Sequence, residues 1–203
     1  MKIIKIINNT EVFLKTIKDN DVYLVVGIVR KKDNEISKSE VHKMRFICDS
    51  KQKIQEKIKE IHKLAELNTS YEYRIYVSYN SRNVKNALRN FQKTLLDFSF
   101  DIENKDIISK TTRLDLKWFS ELAKPTSSNK EYMLLDLDTK EEKAFNYFKK
   151  VLSIEKIYPT KNGFHFLVKK DRLIAEFHKV KHSFDAELKK DDLLLLEIFK
   201  FEK

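Results

Sequence analysis

The sequence predicts an α+β fold: an N-terminal α/β unit over residues 1–128 packed on a smaller βαββαβ unit over residues 129–203. Three observations predict it. Hydrophobic patterns of period 2 and period 3.6 alternate through the first half of the chain. That regularity lapses from residue 99 to about 130, a stretch closed by Pro125 and the loop-like run TSSNK. A fresh series of strand and helix patterns then opens with EYMLLDLDT. An apolar fraction of 41%, with 14 Phe and 8 Tyr, is ample for a packed core.

Each element has a local reason. KIIKII is a short strand, and TEVFLKTIKDN a short helix capped by Thr10. DVYLVVGIV and KMRFICD are β-branched and aromatic runs, hence strands. From Lys51 to Leu67 the residues Ile54, Ile58, Ile61 and Ala65 recur at helical spacing. YEYRIYVSY alternates strictly, with Tyr73, Ile75, Val77 and Tyr79 on one face and Arg74, Tyr76 and Ser78 on the other. The next helix carries Val84, Ala87, Leu88, Phe91, Leu95 and Phe98 on one stripe. LDLKWFSELAKP is a short apolar patch, in which Trp118 and Phe119 are expected to plug the junction between the units.

In the second unit, KEEKAFNYFKKVL is a helix whose Ala144, Phe148, Val151 and Leu152 share a face. IEKIYPT and FHFLVKK flank the turn KNG as a hairpin. DRLIAEFHKVK reads as a helix, and FDAEL and LLLLEIFKF as closing strands. The order βαββαβ is that of an RRM-like or ferredoxin-like module.

Lysine and arginine outnumber the acids by 41 to 31, a formal charge of +10 that suits a polyanionic partner. The basic residues are scattered, so lysine as a general surface solubiliser explains the excess equally well. Cys48 stands alone, which excludes a disulfide framework and a cysteine-based zinc site. The N-terminal apolar run is too short for a signal peptide, and no run approaches the roughly 20 apolar residues of a membrane span. These features lead us to expect a soluble protein of a reducing cytoplasm, the host's if the chain is viral.

Chemistry concentrates in two short stretches. In YMLLDLDTK, Asp136 and Asp138 share one face of a strand end while Leu135 and Leu137 take the other. Paired carboxylates repel unless a cation lies between them, and Mg²⁺ or Mn²⁺ needs one or two carboxylates, waters and substrate phosphates. The bland alternative is a strand end whose Asp138 caps the following helix. In YPTKNGFHFLV, Gly163 permits a positive φ or a close backbone approach, and Asn162 tolerates the left-handed region. His165 then projects on the face opposite Phe164 and Phe166. An ordinary Asn-Gly hairpin with a surface histidine is the competing reading.

A hydrophobic strand ending in D-x-D, a helix, a hairpin carrying small-x-His and a late strand acid together resemble the archaeo-eukaryotic primase superfamily, in its small phage or mobile-element form. The matching residues are LLDLD (Asp136, Asp138), GFH (Gly163, His165) and FD (Asp185), within residues 131 to 203. The upstream RIYVSYNSRNVKNAL resembles an arginine-bearing strand-to-helix unit of some phage members. The resemblance implies a primase-polymerase-like nucleotidyltransferase with Mg²⁺ or Mn²⁺ on Asp136, Asp138 and Asp185. It implies that His165, with Lys161 and Gly163, binds the nucleoside triphosphate. Implied partners are a single-stranded nucleic-acid template, nucleoside triphosphates and replication proteins such as a helicase, with no membrane.

Several positions stay open at this stage. Glu187 shares the strand face of Asp185, and Asp191 and Asp192 open the last strand, so the third acid has four candidates. Arg74 and Arg82 flank YVSYN, where they could grip nucleic-acid phosphates or form plain ion pairs. His178 and His182, four apart, lack an evident third zinc ligand and read as surface residues. A basic RRM-like binding module and a metal-dependent nuclease are the alternatives to a polymerase.

Overall fold

The computed structural model describes residues 2–9, 18–36, 43–100 (98–100 by backbone only), 111–170, 184, 186–189 and 191–202. It is an α+β structure of two antiparallel sheets and four described helices. The expected helix at TEVFLKTIKDN lies outside the described residues up to position 17, and its last three residues, Lys18 to Asn20, are not helical; the cap Thr10, the helix DRLIAEFHKVK with His178 and His182, and Asp185 also lie outside them.

The first sheet contains β1 (Ile3–Asn8), β2 (Asp21–Val29), β3 (Lys43–Cys48), β4 (Tyr73–Ser78), the short β5 (Arg82–Asn83) and β10 (Leu193–Phe201). Its order is β1-β10-β4-β2-β3, with β5 on β2. Helix α1 (Lys51–Ala65) starts where the Ser50 hydroxyl accepts from the Lys53 amide. Its buried Ile54, Ile61 and Ala65 join Tyr73, Ile75 and Val77 in one core, the face that alternation along β4 predicts. The opposite face is covered at one end by α2 (Val84–Phe100) and α3 (Leu114–Ala123). There Ala87 and Leu122 pack with Val22 and Leu24, and Trp118 lies 5.4 Å from Phe91. The patch LDLKWFSELA is therefore a helix; Trp118 seats it on α2 and the first sheet rather than plugging a junction, while Phe119 reaches the space between the two sheets.

The second sheet has the order β7-β8-β6-β9, from β6 (Tyr132–Leu137), β7 (Ile154–Pro159), β8 (Phe164–Lys169) and β9 (Ala186–Lys189). Helix α4 (Glu142–Val151) closes one face, burying Ala144 and Phe148 with Leu135, Leu137, Phe166 and Val168. This sheet begins at Tyr132, just past the expected division at 128/129, but β10 is not part of it. LLLLEIFKF, expected to close the second unit, instead sits between β1 and β4 of the first sheet.

The other face of the second sheet changes character along its strands. Tyr132, Leu134 and Leu167 belong to the same core as Ile75, Val77 and Leu196 of the first sheet, so the two sheets are joined there. Two residues further along β6, and two back along β8, the same face carries Asp136 and His165 and opens into a cleft.

Candidate active-site cleft

The cleft has a volume of about 770 Å³ and is walled by both sheets. On β6, Asp136 has His165 of β8 as its cross-strand partner on one side and Glu187 of β9 on the other. His165 Nε2 lies 3.2 Å from Asp136 Oδ1, and Lys189 Nζ lies 2.8 Å from Asp136 Oδ2. Lys189 also reaches Asp192, at 3.6 Å. His165 is only 8% exposed, and its Nδ1 has no hydrogen-bond partner among the described residues. Asp138 and Glu187 are exposed and line the same cleft.

Burial pushes the Asp136 carboxyl up, but hydrogen bonds from His165 and Lys189 and the charges of both outweigh it, holding the pKa at about 2 against an ordinary 3.8. Since the folded carboxyl binds its proton less tightly than the unfolded one, this pairing stabilises the fold in full above about pH 4 and is lost as pH falls through 2. Asp136→Asn is therefore expected to flatten the fall in melting temperature between pH 5 and pH 2. An unchanged acid profile in that variant would mean that Asp136 is not paired in solution.

Gly163 owes its place to close approach. No glycine among the described residues has positive φ, and Asn162 does not either. A Cβ at Gly163 would instead fall 1.8 Å from the Leu137 carbonyl oxygen and 2.9 Å from the Thr139 amide nitrogen. The turn thus presses directly on the end of β6, against the main chain on either side of Asp138. Thr160 closes the turn, its amide donating to the Gly163 carbonyl and its hydroxyl accepting from the Gly163 amide. Lys161 lines the cleft and lies 3.5 Å from Glu72, a contact between the turn and the first sheet.

The two arginines part company. Arg74 lines the cleft, where it donates to Asp33 at 2.6 Å. Arg82 does not reach it: its side chain is 3% exposed and paired at 2.6 Å with Asp191, itself 5% exposed and accepting from the Ser128 hydroxyl. Arg82 is an interior tie, and the same pairing takes Asp191 out of the set of third acids. Geometry favours Glu187 over Asp192 among the remaining described acids, because Glu187 is the direct cross-strand neighbour of Asp136.

Sequence reasoning missed the residues that hold this wall in place. Asn80, 1% exposed, donates to the Tyr132 carbonyl and accepts from the Tyr132 amide, acting as a strand partner for the start of β6. The Tyr79 hydroxyl donates to the Lys189 carbonyl and accepts from the Asp192 amide, fixing the segment that carries Lys189. Burial, and then the Asp191 charge, push the Tyr79 phenol well above its usual range, so it stays a neutral donor. The polar run YNS after a strict alternation was the available signal.

Asp136, Asp138 and Glu187 offer hard oxygen donors suited to Mg²⁺ or Mn²⁺. Among the described residues no three ligands converge on one point, and both Asp136 oxygens are engaged. The set does not form a preformed protein cage; a divalent cation held there would have to bring its own waters and substrate phosphates and take the place of Lys189 beside Asp136.

The charges in the cleft are unevenly divided. The first-sheet wall carries five cations, Arg30, Lys32, Lys43, Arg45 and Arg74, against the single acid Asp33. The facing wall carries Asp136, Asp138, Glu187 and Asp192 against Lys161 and Lys189. A cationic surface thus faces an anionic one across a space of about 770 Å³. Compared with known protein families, with curated proteins and with solved structures, the chain matches none. No described helix is long and apolar enough to cross a membrane.

Proposed function

We propose that this chain is a primase-polymerase-like nucleotidyltransferase of the archaeo-eukaryotic primase type, acting at the cleft between the sheets. One observation carries the reading: Asp136 and His165 are cross-strand partners whose side chains meet in a cleft with an opposed cationic wall. The strand order β7-β8-β6-β9, with α4 behind it, supports an RRM-like catalytic unit.

A divalent cation on Asp136 and Asp138 would activate a 3′-hydroxyl and stabilise the departing pyrophosphate. The chain's own residues do the rest. His165, held by Asp136, stands at the base of the turn where triphosphate oxygens would lie, and Lys161, now beside Glu72, would supply a positive charge to them. Lys189 keeps Asp136 compensated until substrate arrives, since an unpaired carboxylate in this half-buried position would be costly. Asp185 remains a proposed third ligand, with Glu187 as the described alternative.

The test is a single-stranded DNA template incubated with labelled nucleotides and Mn²⁺, with and without an annealed primer. Products longer than the input are expected, and Asp136→Asn/Asp138→Asn should abolish them. A second reading has a specific basis: Asp136, Glu187 and Lys189 cluster on one face and would equally serve a water nucleophile. Metal-dependent shortening of the DNA, lost in the same variant, would make the protein a nuclease. A salt-sensitive gel shift without either reaction would make it a binding module.

A further inference from the structure

We infer that the β2–β3–β4 face of the cleft is a platform for single-stranded nucleic acid, with Lys43 and Arg45 of β3 gripping its phosphates. The inference rests on the reading of the cleft as a nucleic-acid site but not on its chemistry.

Register fixes the layout. Val26 lies between Arg45 and Tyr76, and Tyr76 in turn lies beside Leu195 of β10. The next row places Ile28 between Lys43 and Arg74. The floor is therefore apolar and aromatic, while the edge strand β3 supplies a cationic rim. Phe119 stands at the border, with the Arg45 guanidinium 6.0 Å from its ring centroid.

These cations are not equivalent. Arg74 is already paired with Asp33, and Arg30 donates to the Tyr76 hydroxyl at 3.3 Å. Lys43 and Arg45 are exposed and have no carboxylate partner among the described residues, so they can neutralise phosphates without breaking an ion pair. Phosphates along the rim would leave bases to lie on Val26, Ile28 and Tyr76, the combination of charged track and stacking surface that binds single strands. A walled cleft of about 770 Å³ suits a few unpaired nucleotides and not a base-paired duplex.

Fluorescence anisotropy with a labelled 20-mer of thymidine, and with the uridine 20-mer of RNA, tests this on the full chain. Lys43→Glu/Arg45→Glu is expected to weaken binding at least tenfold and to lower the salt slope by about 1.4, the contribution of roughly two phosphates on a single strand. Lys143→Glu/Lys150→Glu, the same charge change on exposed positions of α4, should change affinity less than threefold. Equal losses in both variants would reduce the effect to net charge and overturn the platform, as would wild-type affinity in Lys43→Glu/Arg45→Glu or tighter binding of duplex than of single strand. Unchanged melting temperatures in both variants keep the comparison valid. Failure of elongation with the rim intact refutes the enzyme reading alone, while an indifferent rim refutes the platform alone.

Discussion

Gly163→Ala is expected to lower stability by about 3 kcal/mol, because the added Cβ meets main chain and not a side chain that can rotate away. For a chain of this size that corresponds to a fall of roughly 6–12 °C in melting temperature. The end of β6 or the whole Thr160–Gly163 turn must move to relieve the overlap, and either movement separates Asp136 from His165. Elongation should fall with stability, and it should not return at low temperature where the variant is fully folded. Gly163→Ala at wild-type melting temperature would show that the turn does not press on β6.

Arg82→Ala is the second large effect. It leaves Asp191 buried with an uncompensated charge, a situation that costs about 3–5 kcal/mol. Urea unfolding should show a lower midpoint with an unchanged slope. Arg82→Met/Asp191→Leu should recover most of the loss, since a buried pair replaced by apolar residues of similar size is close to neutral. If the double variant is as unstable as the sum of its parts, the pair does not couple and Arg82 acts otherwise. Weaker oligomer binding at full stability would restore Arg82 to the nucleic-acid contacts that the sequence first suggested.

Much of the fold was legible because it is local. The alternation in YRIYVS predicts the burial of Tyr73, Ile75 and Val77, though not of Ser78, and the helical stripe from Lys51 predicts the face that α1 buries. LLDLD, followed by GFH on a hairpin, brings Asp136 and His165 together because antiparallel register leaves them few other positions. What was not legible depends on pairing at a distance. LLLLEIFKF announces a buried strand, but nothing in its composition says which sheet receives it. YNSR announces a turn, yet Tyr79, Asn80 and Arg82 are anchors only because Lys189, Tyr132 and Asp191 arrive beside them. The rim was visible in KMRFIC, whose Lys43 and Arg45 alternate with Met44 and Phe46, but its meaning required the opposite wall.

The position of β10 also bears on how the protein is made. Its Glu197 is fully buried and bonded to Lys5, 192 positions earlier, and the sheet between β1 and β4 is empty until it arrives. While the chain emerges from the ribosome, the edges of β1 and β4 have no partner, and contacts of such long sequence separation form slowly. The cleft wall formed by the first sheet is therefore completed only after the residues that build the facing wall have been synthesised. The site is thus assembled late by topology, and deleting Leu193–Phe201 should yield an insoluble product instead of a smaller working domain.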